Sequence, residues 1–148
     1  MRHPKLRKGW GFVVQPLGVR GPPVRNYLWV TVGNFEANIV TRVRNKGQKT
    51  RYQVIVVGGF ETDFASNPVR RLWGIFPPAT GKHLRAALVH DWLYVKRRCL
   101  KNGEYVEITR LEADWIFRHI MLEDDVNPWL AKAAYSAVRA FARGEWEN

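Results

Sequence analysis

The stretch LRAALVHDWLYVKR, residues 84–97, decides how this chain is read. It is apolar on nearly all sides, the pattern of a helix packed around its whole circumference rather than along one stripe. Such a helix needs a shell, and the sequence supplies one on both sides. Downstream, Thr109-Arg110-Leu111-Glu112 has the spacing of a capping box and predicts a helix over 109–123. Asn127-Pro128 then places an N-cap before a proline at the first helical position. The helix that follows shows Leu130, Ala134, Ala137 and Phe141 on one face.

Upstream the apolar residues belong to strands. Segments 26–32 (NYLWVTV), 37–43 (ANIVTRV) and 52–57 (YQVIVV) are rich in β-branched and aromatic residues. Gly33-Asn34 is turn chemistry and predicts a hairpin between the first two, and Asn45-Lys46-Gly47 turns the chain into the third. Pro16, Gly18, Gly21, Pro22 and Pro23 make the preceding segment an irregular arm. Pro68 suits the first turn of a short helix through Trp73, Pro77, Pro78 and Gly81 form a loop, and 101–104 reads as a turn. The expected architecture is α+β, a small antiparallel sheet followed by three main helices. It forms one domain over 1–148, with a basic strand-rich half (1–58) and a helical half (59–148).

Composition agrees with a packed domain. Apolar residues make up 46% of the 148 and there are seven tryptophans, which excludes disorder as a description of the whole. Cys99 is the only cysteine, so an intrachain disulfide and a thiolate metal cluster are both excluded. The basic start, residues 1–8, leads into an apolar run broken by Gln15 and Pro16, unlike an export signal. No stretch nears the roughly 20 apolar residues of a membrane span. The expected setting is therefore a reducing cytoplasm.

The net charge of +11 is unevenly placed. Residues 1–58 hold eleven Lys and Arg against one acid, Glu36, whereas residues 59–148 hold thirteen against twelve. A surface carrying Arg42, Arg44, Lys46 and Lys49 attracts an anionic partner, whether a phospholipid membrane, nucleic acid or an acidic protein. It also serves simply to keep a small protein soluble.

On the central helix, Ala86, His90 and Tyr94 share one stripe at i, i+4, i+8, with Asp91 beside it. An imidazole and a carboxylate in such apolar surroundings are costly unless partnered, so they form either a structural knot or an active site. On the next helix, Asp114 interrupts an apolar face of Leu111, Phe117 and Met121 and needs a partner. His90 and, one turn on in the same helix, Arg118 compete for it. If His90 takes it, the acid fixes the tautomer of a general base and Asp91 is left to hold a hard cation through its oxygens. Thr62, Asp63, Ser66 and Asn67 read either as an Asx- or ST-type turn opening the Pro68 helix or as a source of a second carboxylate, Asp63, for that site. There is no phosphate-cradling glycine loop, no zinc-spaced Cys/His set and no nucleophile elbow. His3, His83 and His119 read as surface or satisfied histidines.

The run GFETDFASNPVRRLW (59–73), AALVHDWLY (86–94) and EADWIFRHIM (112–121) together resemble an uncharacterised family of phage and prophage proteins. That likeness implies a phage setting: the host cytoplasm during phage production, incorporation into a virion, and other phage structural proteins as partners. A more distant resemblance, of His90-Asp91-Trp92-Leu93-Tyr94 and Ala113-Asp114-Trp115-Ile116-Phe117, is to the two helices of phospholipases A2. It implies that His90 activates water, that Asp114 and Tyr94 orient His90, and that Asp91 ligates Ca²⁺. Phospholipases draw carbonyl ligands from a Gly-rich loop before the histidine; residues 74–81 here, GIFPPATG, contain no Gly-x-Gly. The expectation from sequence is a phospholipase A2-like hydrolase, with a non-enzymatic phage component built around a buried His-Asp-Asp network as the alternative.

Overall fold

The computed structural model describes residues 7–8, 13–19, 27–42, 49–62 and 83–147. Over these the fold is α+β, with two small antiparallel sheets, three helices and a short fourth; the last two strands fall between the first and second helices rather than before them. The first sheet contains β1 (Arg7–Lys8), β2 (Val13–Val19), β3 (Tyr27–Val32) and β6 (Glu61–Thr62), in the order β1-β2-β3-β6. The second contains β4 (Phe35–Arg42), β5 (Lys49–Val56), β7 (Arg98–Lys101) and β8 (Glu104–Glu107), in the order β4-β5-β7-β8. The helices are α1 (Leu84–Lys96), α2 (Arg110–Glu123), α3 (Pro128–Phe141) and α4 (Arg143–Glu147).

The hairpin expected across Gly33-Asn34 is not one, because the strands it joins belong to different sheets. β3 pairs with β2 and β6, and Thr31 exchanges backbone hydrogen bonds with Gly59 and Phe60. β4 pairs instead with β5, Phe35 opposite Val56. The chain crosses between sheets at Gly33 (φ 77°), where Gly58 approaches so closely that a Cβ on it would lie 3.1 Å from the Gly33 nitrogen. Asn34 Oδ1 accepts the Gly58 N–H at 2.9 Å and closes the corner.

One other expectation is corrected. The segment with Pro16 and Gly18, read as an irregular arm, carries strand β2; the ladder shifts register between those two residues, which is how a sheet accommodates a proline. The turn expected at 101–104 is present and forms the tip of a β7–β8 hairpin, with Asn102 (φ 51°) and Gly103 (φ 84°) both left-handed as a two-residue hairpin turn requires. The short helix read from Pro68, the loop at 74–81 and the turn at 45–47 lie outside the described residues.

Alternation along β4 and β5 buries Phe35, Ala37, Ile39, Tyr52, Val54 and Val56 on one face. Against them pack α1, buried at Leu84, Ala86–Tyr94 except half-buried Asp91, and the α2 face of Ala113, Ile116, Phe117, Ile120 and Met121. Each such aliphatic side chain removed from water contributes about 1.5–3 kcal/mol. Leu111, read as inward, is 52% exposed in the first turn of α2. On α3 the buried stripe is Ala131, Ala134 and Val138, rotated one position from the expected one, so Ala137 is half-buried. Small side chains at 131 and 134 let α3 sit close, and the rotation turns Arg139 toward α2. The expected caps are present: Thr109 and Glu112 form the full capping box, and Asn127 Oδ1 accepts the Trp129 N–H at 2.9 Å.

Candidate functional site

His90 and Asp114 meet between α1 and α2, with His90 Nε2 2.8 Å from Asp114 Oδ1. Helical spacing puts Tyr94 one turn beyond His90, and its hydroxyl donates to the same Oδ1 at 2.5 Å. The imidazole packs against the rings of Tyr94 (centroids 4.3 Å apart) and Phe117 (4.6 Å). Tyr94 is itself met edge-on by Trp146 of α4. His90 is 1% exposed and Asp114 wholly buried.

Burial alone would raise the Asp114 carboxyl. The hydrogen bonds from His90 and Tyr94, the charge of His90 and the hydrogen bond from Arg139 together outweigh it and leave the group below the ordinary carboxylate range. Burial and the bond to Asp114 push the Tyr94 phenol far up, so it donates and does not ionise. With Asp114 ionised, His90 must carry a proton on Nε2 to make their contact. In the neutral ring the lone pair is then on Nδ1, and Nδ1 has no hydrogen-bond partner among the described residues.

Arg139 and Arg110 were not anticipated. Arg139 Nη1 donates to Asp114 Oδ2 at 2.8 Å, and Arg110 Nη1 lies 4.0 Å from the same oxygen while also donating to the Arg139 carbonyl. Arg110 stands four residues before Asp114, a spacing that marks a same-face pair. Arg139 has no local signal, since its placement depends on how α3 packs on α2. Arg118, the rival partner, does not reach Asp114: its guanidinium lies over the Tyr135 ring, and its buried Nε has no hydrogen-bond partner among the described residues.

Asp91 is half-buried on the neighbouring side of α1, where its Oδ2 accepts the Thr62 hydroxyl at 2.6 Å and ties the helix to β6. Among the described residues, no three His, Cys, Asp or Glu side chains come together as a metal set. Asp63 lies outside the described residues, as do Arg44 and Lys46. Arg42 ends β4 opposite Lys49, which is exposed. His83 is buried at the start of α1, its imidazole held below the ordinary histidine value by that burial. His119 pairs with Glu123 and stacks on Trp115. No helix among the described residues is long and apolar enough to cross a membrane.

Residues 37–138 match the model of a family described as a protein of unknown function, DUF1353. No curated protein and no solved structure matches. The match spans β4 to α3 and includes His90, Asp91, Tyr94 and Asp114; over more than half its length the chain is a member of that family.

Proposed function

We propose that this member of the DUF1353 family is a phage-encoded hydrolase in which His90 takes a proton from water as that water attacks a lipid ester, in the manner of a phospholipase A2. The observation that carries this reading is the state of the imidazole. Asp114 engages Nε2, Tyr94 and Arg139 hold Asp114 in place, and Nδ1 has no partner among the described residues. A ring held in one tautomer by an acid on its far nitrogen is what a general base requires. In the reaction Nδ1 accepts the water proton while Asp114 stabilises the imidazolium, and the proton is then delivered to the leaving alkoxide.

On the same reading Asp91, with Asp63, would hold Ca²⁺, which when bound supplies charge to a developing oxyanion. Asp91 and the Thr62 hydroxyl are hard oxygen donors, but Ca²⁺ takes about six to eight. The remainder would have to come from residues outside those described. The basic half, through Arg42, Arg44, Lys46 and Lys49, would draw the protein to an anionic surface or to other phage proteins, in the host cytoplasm or in the virion.

The test is ester release from phospholipid vesicles by the protein and by His90→Asn, which keeps hydrogen-bonding capacity but cannot relay a proton near neutral pH. Loss of a general base lowers the rate by about 10²–10⁴. A wild-type protein that releases no fatty acid, with or without calcium, overturns the hydrolase.

A second reading has its own supporting observation. His90 and Asp114 are almost completely buried and Asp114 is charge-compensated by Arg139, as in a structural network of a non-enzymatic phage component. There His90→Asn changes melting and assembly and nothing else.

A further inference from the structure

The outward face of the second sheet carries a row of side chains unrelated to the His90 site. Its strands bury one face against the helices, so the alternate residues face solvent. Asn38 of β4 stands opposite Gln53 of β5, Gln53 opposite Leu100 of β7, and Leu100 opposite Tyr105 of β8. Four residues thus cross the sheet in register: two amides, an aliphatic floor and an aromatic ring. With strands about 4.8 Å apart the row is about 14 Å long, room for a few nucleotides. Tyr105 is 61% exposed, and the Arg98 guanidinium sits 5.8 Å from its ring centre.

Along this row runs a groove of about 660 Å³, lined among the described residues by Asn38, Gln53, Lys49 and Arg51 among others. Lys49 and Arg51 are both exposed, and neither makes an ion pair among the described residues. Asn38 and Gln53 both donate to Glu36 Oε1, which holds the two amides in place.

We propose that this face binds single-stranded nucleic acid, the backbone phosphates meeting Lys49 and Arg51 and a base stacking on Tyr105. A cationic groove beside an aromatic platform is the combination that holds single strands, and oriented amides present donors and acceptors to base edges. Charge alone would suit an anionic membrane equally. The shape favours a strand, because the cations line a recess that a planar lipid surface cannot enter and a phosphodiester chain can.

The test is fluorescence anisotropy of the full-length protein with a labelled single-stranded DNA oligonucleotide, set against the same sequence as a duplex and against sedimentation with phosphatidylglycerol vesicles. The single strand should bind at least ten-fold more tightly than the duplex. Lys49→Ala/Arg51→Ala should weaken binding by at least ten-fold and reduce the slope of log affinity on log salt by about 1.4, at about 0.7 per phosphate contact. Tyr105→Leu should weaken it by about five-fold or more while leaving the salt slope unchanged, which separates stacking from charge. His90→Asn should bind like the wild type, so the outcome stands apart from that of the ester-release assay. Circular dichroism melts of the Lys49→Ala/Arg51→Ala and Tyr105→Leu variants, both altered on an exposed face, should match the wild type. Binding equal for duplex and single strand, indifference to Tyr105→Leu, or association with vesicles alone overturns the proposal.

Discussion

Arg139 on α3 donates to Asp114 Oδ2 at 2.8 Å, the carboxylate oxygen that His90 and Tyr94 do not use. The buried acid on α2 is therefore bound from two other helices, and α3 is fastened to the α1–α2 pair at its most buried polar point. Removing one partner of a buried ion pair costs about 3–5 kcal/mol. Arg139 is itself about one-third exposed and Arg110 stands close by, so Arg139→Ala should cost less, about 2 kcal/mol. Urea denaturation reads this as a lowered midpoint; an unchanged midpoint would mean that Arg110 alone suffices.

Acid should unfold the protein in two stages with different owners. The buried His83 imidazole has a lowered pKa, so the unfolded chain binds its proton first. The stability it carries is full above the unfolded value near 6.5 and falls as pH drops from there toward the folded value. Asp114 is also depressed, so its contribution is full above the unfolded value near 3.9 and is lost as pH falls through its lower folded value. Unfolding free energies measured from pH 7 to pH 3 should show both. His83→Gln should flatten the upper portion alone, and a curve unchanged by that substitution removes His83 from the account.

Tyr52 donates to Glu112 Oε2 at 2.7 Å, and Lys101 donates to the same oxygen at 2.9 Å, tying the capping box of α2 to β5 and β7. Tyr52→Phe keeps the buried ring and deletes one hydrogen bond to a charged acceptor, a loss of about 1.5–3 kcal/mol at most. Thermal melting should register it as a modest fall. No change would show that Lys101 and Thr109 satisfy Glu112 unaided.

Calcium gives a separate check on Asp91. If Asp91 ligates Ca²⁺, millimolar calcium should raise the melting temperature of the wild type by mass action and leave Asp91→Asn unmoved. Melting curves that coincide in calcium and in chelator would remove calcium from the hydrolase reading while leaving the His90–Asp114 pair as it stands.

Much of this molecule is written locally. The all-round apolar pattern of 84–97 made α1 a central helix, the Thr109–Glu112 spacing made the capping box, and Asn127-Pro128 made the start of α3, because each depends on residues within one or two turns. The convergence of His90 and Asp114 was legible too, since an ionisable group on each of two inward faces has few other places to go. The turn at 101–104 was legible as well, but not the strands it joins, which are only four residues long. Other features required the assembled fold. Gly33-Asn34 has the composition of a hairpin turn, yet the pairing of Thr31 with Gly59 and Phe60 sends β3 and β4 to different sheets. Nothing near residue 139 announces that its guanidinium closes the Asp114 site, nor near residue 53 that it shares a row with Leu100 and Tyr105. Caps and periodicities are short-range interactions that a sequence states directly. Strand partners and a third helix's contribution to a buried charge depend on contacts tens of residues apart, and only the closed tertiary structure sets them.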